Sequence, residues 1–276
     1  MNKVWLITGA SSGFGRAIAE AALAAGDVVV GAARRPEALA DLVAAHPDRV
    51  EALRLDVADT GAAEAAVRDV VARHGRIDVL VNNAGRTHVG AFEKTTEDEL
   101  RALFEVHVFG PAALTRAVLP HMRERRSGAI VQMSSMGGQL SFAGFSAYSA
   151  TKFALEGMSE ALADEVADFG IKVLIVEPGA FRTGLFQTGR AGVSADSGVY
   201  GKVGETRGAV AGGDGTQPGD PAKAAALILA ALDAGSTPLR LPLGDDGVSA
   251  VLGHLDRVRD EVLAWEKRSR DTAFED

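Results

Sequence analysis

Short apolar, often β-branched runs alternate along the chain with longer alanine-rich stretches of helical period: Val4–Thr8, Val28–Gly31, Ala52–Leu55, Val79–Asn82, Ile130–Ser134, Val173–Glu177 and Leu239–Leu241. Strands this apolar suit a sheet covered by helices on both faces. Seven of them separated by helices require right-handed crossovers, and therefore a mostly parallel seven-stranded sheet. The expected fold class is α/β, a single doubly wound domain over residues 1–276.

Helix ends are marked by their residues. Gly13 to Ala25 closes at Gly26, Thr60 to Arg73 near Gly75, and Ala147 to Phe169 at Gly170, each glycine suiting the left-handed position after a helix. Pro36 and Pro221 fit helix first turns, where a missing N–H costs nothing. Thr96 followed by Glu99 predicts a capping box opening a long helix toward Arg126. Residues 184–219 lose all periodicity and turn rich in glycine, serine and threonine, which predicts a long loop. Loops of that length in compact domains are functional or mobile, so two readings stand, a substrate-binding lid and a disordered insertion. Residues 245–270 carry Leu255, Val258, Val262 and Trp265 at helical spacing and predict an amphipathic helical extension, packed on the domain or on another subunit.

Composition narrows the classes of partner. A formal net charge of −8 with dispersed Lys and Arg disfavours nucleic acid. The absence of cysteine excludes disulfides and thiolate chemistry, and the six histidines show no metal-ligand spacing, so no metal is expected. Residues 1–8 read as a buried strand rather than a signal peptide, and no uncharged apolar run reaches the roughly 18 residues of a membrane span, so a cytoplasmic protein without a membrane partner is expected.

The strand Val4–Thr8 runs into Gly9-Ala10-Ser11-Ser12-Gly13-Phe14-Gly15 and then a helix. Strand, glycine turn and helix N-terminus form a pyrophosphate site, because glycines let backbone approach and free N–H groups face the anion. The spacing Gly-xxx-Gly-x-Gly resembles the cofactor turn of the short-chain dehydrogenase/reductase family. Further matches follow in that family's order: Asp56-Val57, Asn82-Asn83-Ala84-Gly85, Ser135, Tyr148-xxx-Lys152, and Pro178-Gly179 with Thr183 beyond. The resemblance spans nearly the whole chain and implies a Rossmann-like domain binding a nicotinamide cofactor, with the hydroxysteroid- and retinol-dehydrogenase-like branch suggested around Tyr148 to Gly157.

The resemblance also implies roles. Gly9, Ser11, Ser12, Gly13, Phe14 and Gly15 would hold the pyrophosphate and Asp56 and Val57 the adenine, while Asn82, Asn83, Ala84 and Gly85 would support the central strand and line the adenosine ribose. Pro178, Gly179 and Thr183 would meet the carboxamide. After the second strand stand Ala33, Arg34 and Arg35, with no carboxylate for a ribose hydroxyl. A guanidinium there suits a 2′-phosphate, so NADP(H) is favoured over NAD(H), the other reading being two solvated surface arginines.

Tyr148 and Lys152 lie four residues apart in a helical pattern and project from one face. An adjacent ammonium and an oxidised nicotinamide both favour a phenolate, so Tyr148 can pass a proton to or from a substrate oxygen. Ser135, thirteen residues earlier at a strand end, would hold that oxygen, with Ser134 the alternative assignment. The family places asparagine about forty-one residues before the tyrosine, where this chain has His107. Two readings of His107 are open, a holder of the relay water next to Lys152 and a satisfied core histidine. Met136, Leu140, Phe142, Phe145, Leu185 and Phe186 flank these residues, with Gly137, Gly138 and Gly144 leaving room, which suits a hydrophobic carbonyl or alcohol substrate. Three functions fit such a chain: an oxidoreductase, a non-enzymatic nucleotide-binding regulator on the same fold, and an epimerase or dehydratase. The long helices Thr96–Arg126 and Ala147–Phe169 resemble those that pair in family dimers, so a homodimer or homotetramer is expected.

Overall fold

The computed structural model describes residues 2–186, 191–195 and 198–274. Nine strands occur among them: β1 Val4–Thr8, β2 Val28–Ala33, β3 Val50–Arg54, β4 Val79–Asn82, β5 His88–Val89, β6 Gly128–Met133, β7 Ile171–Pro178, β8 Gly192–Val193 and β9 Arg240–Leu243. The α-helices are α1 Gly13–Ala24, α2 Ala40–Ala45, α3 Ala63–His74, α4 Glu97–Phe104, α5 Gly110–Arg125, α6 Ser146–Val166, α7 Gly201–Gly212, α8 Pro221–Asp233 and α9 Asp245–Arg270. Seven strands form one sheet in the order β3-β2-β1-β4-β6-β7-β9, every pairing parallel. All seven expected strands are present, and the fold is a single Rossmann-like α/β domain.

Two apolar layers hold helices to the sheet. On one face Trp5, Ile7, Val29 and Val81 pack with Ile18 of α1 and Ile228 of α8. On the other Leu6, Val30, Leu80 and Ile130 pack with Val67 of α3 and Leu114 and Val118 of α5. The alternation within β1 explains the run of unbroken apolarity: Trp5 and Ile7 belong to one layer, Val4 and Leu6 to the other.

Helix ends follow their signals. Gly75 and Gly170 adopt left-handed conformations behind α3 and the 3₁₀ turn after α6. Thr96 and Glu99 complete the reciprocal capping box of α4. The stretch from there to Arg125 is not one regular helix, because Glu105–Phe109 form a π-turn between α4 and α5 with His107 inside it. By length and composition alone Glu97–Arg125 is apolar enough to cross a membrane, although Glu105, Arg116 and Arg123 interrupt it. Its side chains Leu103, Leu114, Val118 and Met122 are nevertheless buried within this domain.

The expected loop 184–219 differs from prediction. It contains β8, which pairs with β5, and the helix α7; residues 187–190 and 196–197 fall outside the described residues. Only Val203 of α7 is buried, so this helix lacks the broad apolar stripe that periodicity detects. Ser194 fastens the segment to the domain by meeting His88 Nε2 at 2.7 Å and donating to Glu99 at 3.2 Å.

Gly110 shows how closely these layers approach. A Cβ there would overlap the Val57 carbonyl oxygen, so backbone meets backbone at the start of α5. Gly110→Ala is expected to cost about 1–3 kcal/mol of stability through overpacking, read as a lower midpoint in urea denaturation.

Candidate active site

At the end of β1 the Thr8 hydroxyl donates to Val81 O (3.2 Å) and accepts from the backbone N–H groups of Asn83 (2.9 Å) and Ala84 (3.0 Å). Asn83 Nδ2 donates to the carbonyls of Thr8 (2.8 Å) and Gly9 (3.3 Å). These bonds join the ends of β1 and β4 where strand order reverses, the place where open parallel sheets hold ligands. Gly9 (φ +64) and Gly13 (φ +55) turn the chain into α1 through left-handed backbone. Ser12 at the N-cap makes no side-chain cap, leaving the first-turn N–H groups of α1 available to an anion. This cradle fits the dinucleotide that the sequence implies.

The cavity beside it measures 660 Å³, within the usual range for small-molecule sites. Gly9, Ser11, Ser12, Gly13 and Phe14 line one end together with Arg34, Asp56 and Val57; Asn83, Ala84 and Gly85 lie along the middle. Pro178, Gly179 and Thr183 form a further wall. Two residues expected to touch the cofactor do not line it. Gly15 lies under the turn, where a Cβ would overlap Gly9 O and Asn83 Nδ2, so it serves the close packing of α1 on the turn. Asn82 is buried in β4, and its Nδ2 reaches Gln132 (3.0 Å) and Thr115 (3.2 Å) instead. The alternation of a strand explains it: Asn82 and Asn83 cannot both face the ligand.

Ser135, Tyr148 and Lys152 line the other end of the same cavity. Ser135 ends β6 in extended backbone, and its Oγ accepts from Gly137 N (3.0 Å). Ser134, the alternative, also lines the cavity but has a buried Oγ without a protein partner among the described residues, packed against Gly138. Lys152 Nζ donates to Met133 O at 2.8 Å and stands 5.7 Å from the Tyr148 ring centroid. Burial pushes the Tyr148 phenol up to about 12, opposed by its hydrogen bond with Ser135. Burial also brings the Lys152 ammonium down to about 8, with Glu156 acting the other way. Desolvation therefore outweighs the ammonium's expected pull toward phenolate, and the protein by itself holds Tyr148 as a proton donor.

His107 is 1% exposed and both its nitrogens are engaged. Nε2 accepts from the Arg86 backbone N–H (3.1 Å), so Nδ1 carries the proton and donates to Thr151 Oγ1 (2.8 Å), which donates to the Tyr148 carbonyl (2.7 Å). Burial, reinforced by Lys152 and Arg86, holds its pKa well below the usual imidazole value. No nitrogen remains for a relay water. The neutral ring instead ties the segment after β4 to the helix carrying Tyr148, whose ring it meets edge-on at 5.6 Å.

Residues 3–193 match the family described as short chain dehydrogenase. The chain belongs to the short-chain dehydrogenase/reductase family. It is an NAD(P)-dependent oxidoreductase acting on carbonyl or alcohol groups. A short-chain dehydrogenase from Streptomyces avermitilis is 68% identical, superimposing with a TM-score of 0.94 over 99% of this chain and 98% of its own. The oxidoreductase BOA17 of Botryotinia fuckeliana is 40% identical over 90% of this chain and 91% of its own. A metagenomic short-chain oxidoreductase solved with NADP is 36% identical, with a TM-score of 0.61 over 64% of this chain and 82% of its own.

For this oxidoreductase, sequence reasoning missed Thr8 and Thr151 as organisers of the site. Thr8 stood within the quoted turn, but nothing local shows that its hydroxyl spans two strands; Thr151 looks like any helical threonine. His107→Leu would leave the Arg86 N–H without its acceptor and the Thr151 hydroxyl with only its bond to the Tyr148 carbonyl, a loss of about 1–3 kcal/mol. Chemical denaturation is expected to show that loss, and Asn at the same position, which keeps a donor and an acceptor, is expected to recover part of it.

Proposed function

We propose that this short-chain oxidoreductase is an NADP(H)-dependent carbonyl reductase or secondary-alcohol dehydrogenase for a hydrophobic substrate. The observation that carries the reading is the convergence of Ser135, Tyr148 and Lys152 on one cavity with the uncapped glycine turn. When bound, the nicotinamide supplies or accepts the hydride. In reduction, Ser135 holds the carbonyl oxygen and Tyr148 gives it a proton, while Lys152 positions the nicotinamide ribose. The neutral phenol favoured by burial suits proton donation in the reductive step.

Arg34 supports the phosphate-bearing cofactor. It borders the cavity and is solvent-exposed, with no acidic residue occupying the end of β2. The NADP-bound metagenomic relative agrees with this preference. Substrate class rests on Met136, Phe142, Phe145, Leu185 and Phe186, which give the cavity an apolar wall. Leu140 and Gly144 of the expected wall do not border it, and Gly138 faces Glu156 instead. Leu185 and Phe186, which border this wall, belong to the proposed substrate lid. Pairing of two copies through α5 and α6 belongs to the same reading, supported by Phe109 just before α5 and Phe153 on α6, 50% and 46% exposed.

Tyr148→Phe is expected to lower kcat for reduction of a hydrophobic ketone by at least about 100-fold with cofactor affinity retained; residual turnover within tenfold of wild type would remove the proton-donor role. Arg34→Ala is expected to weaken NADPH by about tenfold or more and leave NADH nearly unchanged in fluorescence titrations. Equal losses would contradict phosphate recognition.

A further inference from the structure

Behind Lys152, on the side away from the substrate cavity, lies a second set of buried ionisable groups. Glu156 follows Lys152 by one helical turn on α6 and is 4% exposed; Glu177 ends β7 and is 0% exposed. The two carboxyls are near enough that Glu156 helps to hold the Glu177 proton on. Arg240 of β9 reaches both, at 3.1 Å to Glu156 Oε2 and 3.5 Å to Glu177 Oε1, and also holds the exposed Glu160 at 2.7 Å. Gln139 Nε2 donates to Glu177 Oε1 at 2.9 Å. Two cations, Lys152 and Arg240, thus face three carboxyls, and a retained proton resolves the surplus charge.

Further buried polar atoms lie beside the pair. Glu156 Oε1, Glu177 Oε2 and Ser134 Oγ are buried without a hydrogen-bond partner among the described residues. Ser134 Oγ and Glu156 Oε1 lie 2.5 and 2.9 Å from one point, where a Cβ on Gly138 would sit. Ser134 adjoins Met133, whose carbonyl holds Lys152 Nζ. On its outer side Glu177 borders a separate cavity of 490 Å³, with Gln139 and Arg240 beside it and Val248, Leu252 and Leu255 of α9 as its wall. Those three side chains are 39%, 58% and 50% exposed, so this cavity reaches the surface. His107, with both nitrogens engaged, offers no equivalent route on its own side.

Resting on the oxidoreductase reading above, we propose that Glu156 and Glu177 form a proton reservoir for Lys152 and Tyr148, refilled from solvent through the cavity under α9. In carbonyl reduction the substrate oxygen takes the Tyr148 proton as its carbon takes the hydride. The phenolate regains a proton from the Lys152 ammonium, the amine regains one from the carboxyl pair, and the pair takes one from water. One hydride and one solvent proton are consumed per alcohol formed. Burial first, countered by Gln139 and aided by Glu156, raises Glu177 to about 7, in the range where a carboxyl can exchange protons with an amine near 8. The charged groups around the pair are Lys152, one turn from Glu156 on α6, Glu160 on the same helix, which shares Arg240, and Arg240 from β9.

Infrared titration of the cofactor-free protein tests the reservoir without turnover. A protonated carboxyl band is expected below neutrality, lost above it and absent in Glu177→Gln. No such band in the wild type would overturn the proposal whatever the activity. Wild-type turnover with NADPH and a hydrophobic ketone separately tests the oxidoreductase reading. In that assay kcat is expected to fall as pH rises through neutrality and the pair loses its proton. Glu177→Gln and Glu156→Gln are expected to lower kcat by about tenfold, remove that limb of the pH profile and enlarge the solvent isotope effect, with KM unchanged. A folded variant with the wild-type pH profile and isotope effect assigns the pair to structure and overturns the proposal. Should neither variant fold, Leu252→Trp at the exposed mouth of the cavity is expected to enlarge the isotope effect, and a wild-type value there is equally decisive.

Discussion

The hydroxyl of Thr8 ties together the two strands between which the sheet changes direction. One donor bond and two accepted backbone bonds join the end of β1 to the chain leaving β4. Because connections run outward on either side of this pair, no helix covers the crevice between their ends. The glycine turn, the Asn83 amide and the cavity all take their positions from that junction. An apolar residue at position 8 would preserve the strand while leaving the Asn83 and Ala84 N–H groups without their acceptor.

Burial then dictates the chemistry. Tyr148, Lys152 and His107 are all nearly withdrawn from solvent, and each is driven toward its neutral form. For a phenol that form is the proton donor; for the amine and the imidazole it is a base. The histidine is then immobilised by two hydrogen bonds, so its residual chemistry is positional. Lys152 stays close enough to neutrality to pass protons, and the buried Glu156 and Glu177 give such a proton somewhere to come from.

The sheet was legible because buried parallel strands need only apolar character, which is local. The glycine turn was legible for a similar reason, since left-handed backbone at Gly9 and Gly13 restricts residue choice. Segment 184–219 was misread because α7 buries little and so carries no helical stripe. Asn82 supports the central strand and does not line the cavity, a division of the motif's two roles that motif membership does not show. The identity of His107 was plain, but its hydrogen-bond partners Arg86 and Thr151 come from other parts of the chain.

Sequence alone determined the α/β class, the order of its strands along the chain, the phosphate-binding turn, and Ser135, Tyr148 and Lys152 as a family constellation, because those features depend on local backbone demands and fixed spacing. Only tertiary structure decided that Asn82 faces the core, that His107 has no free nitrogen, and that Glu156 and Glu177 meet behind Lys152. Each of those depends on desolvation and on partners distant in the chain, and a side chain's protonation follows from what surrounds it rather than from its neighbours in sequence.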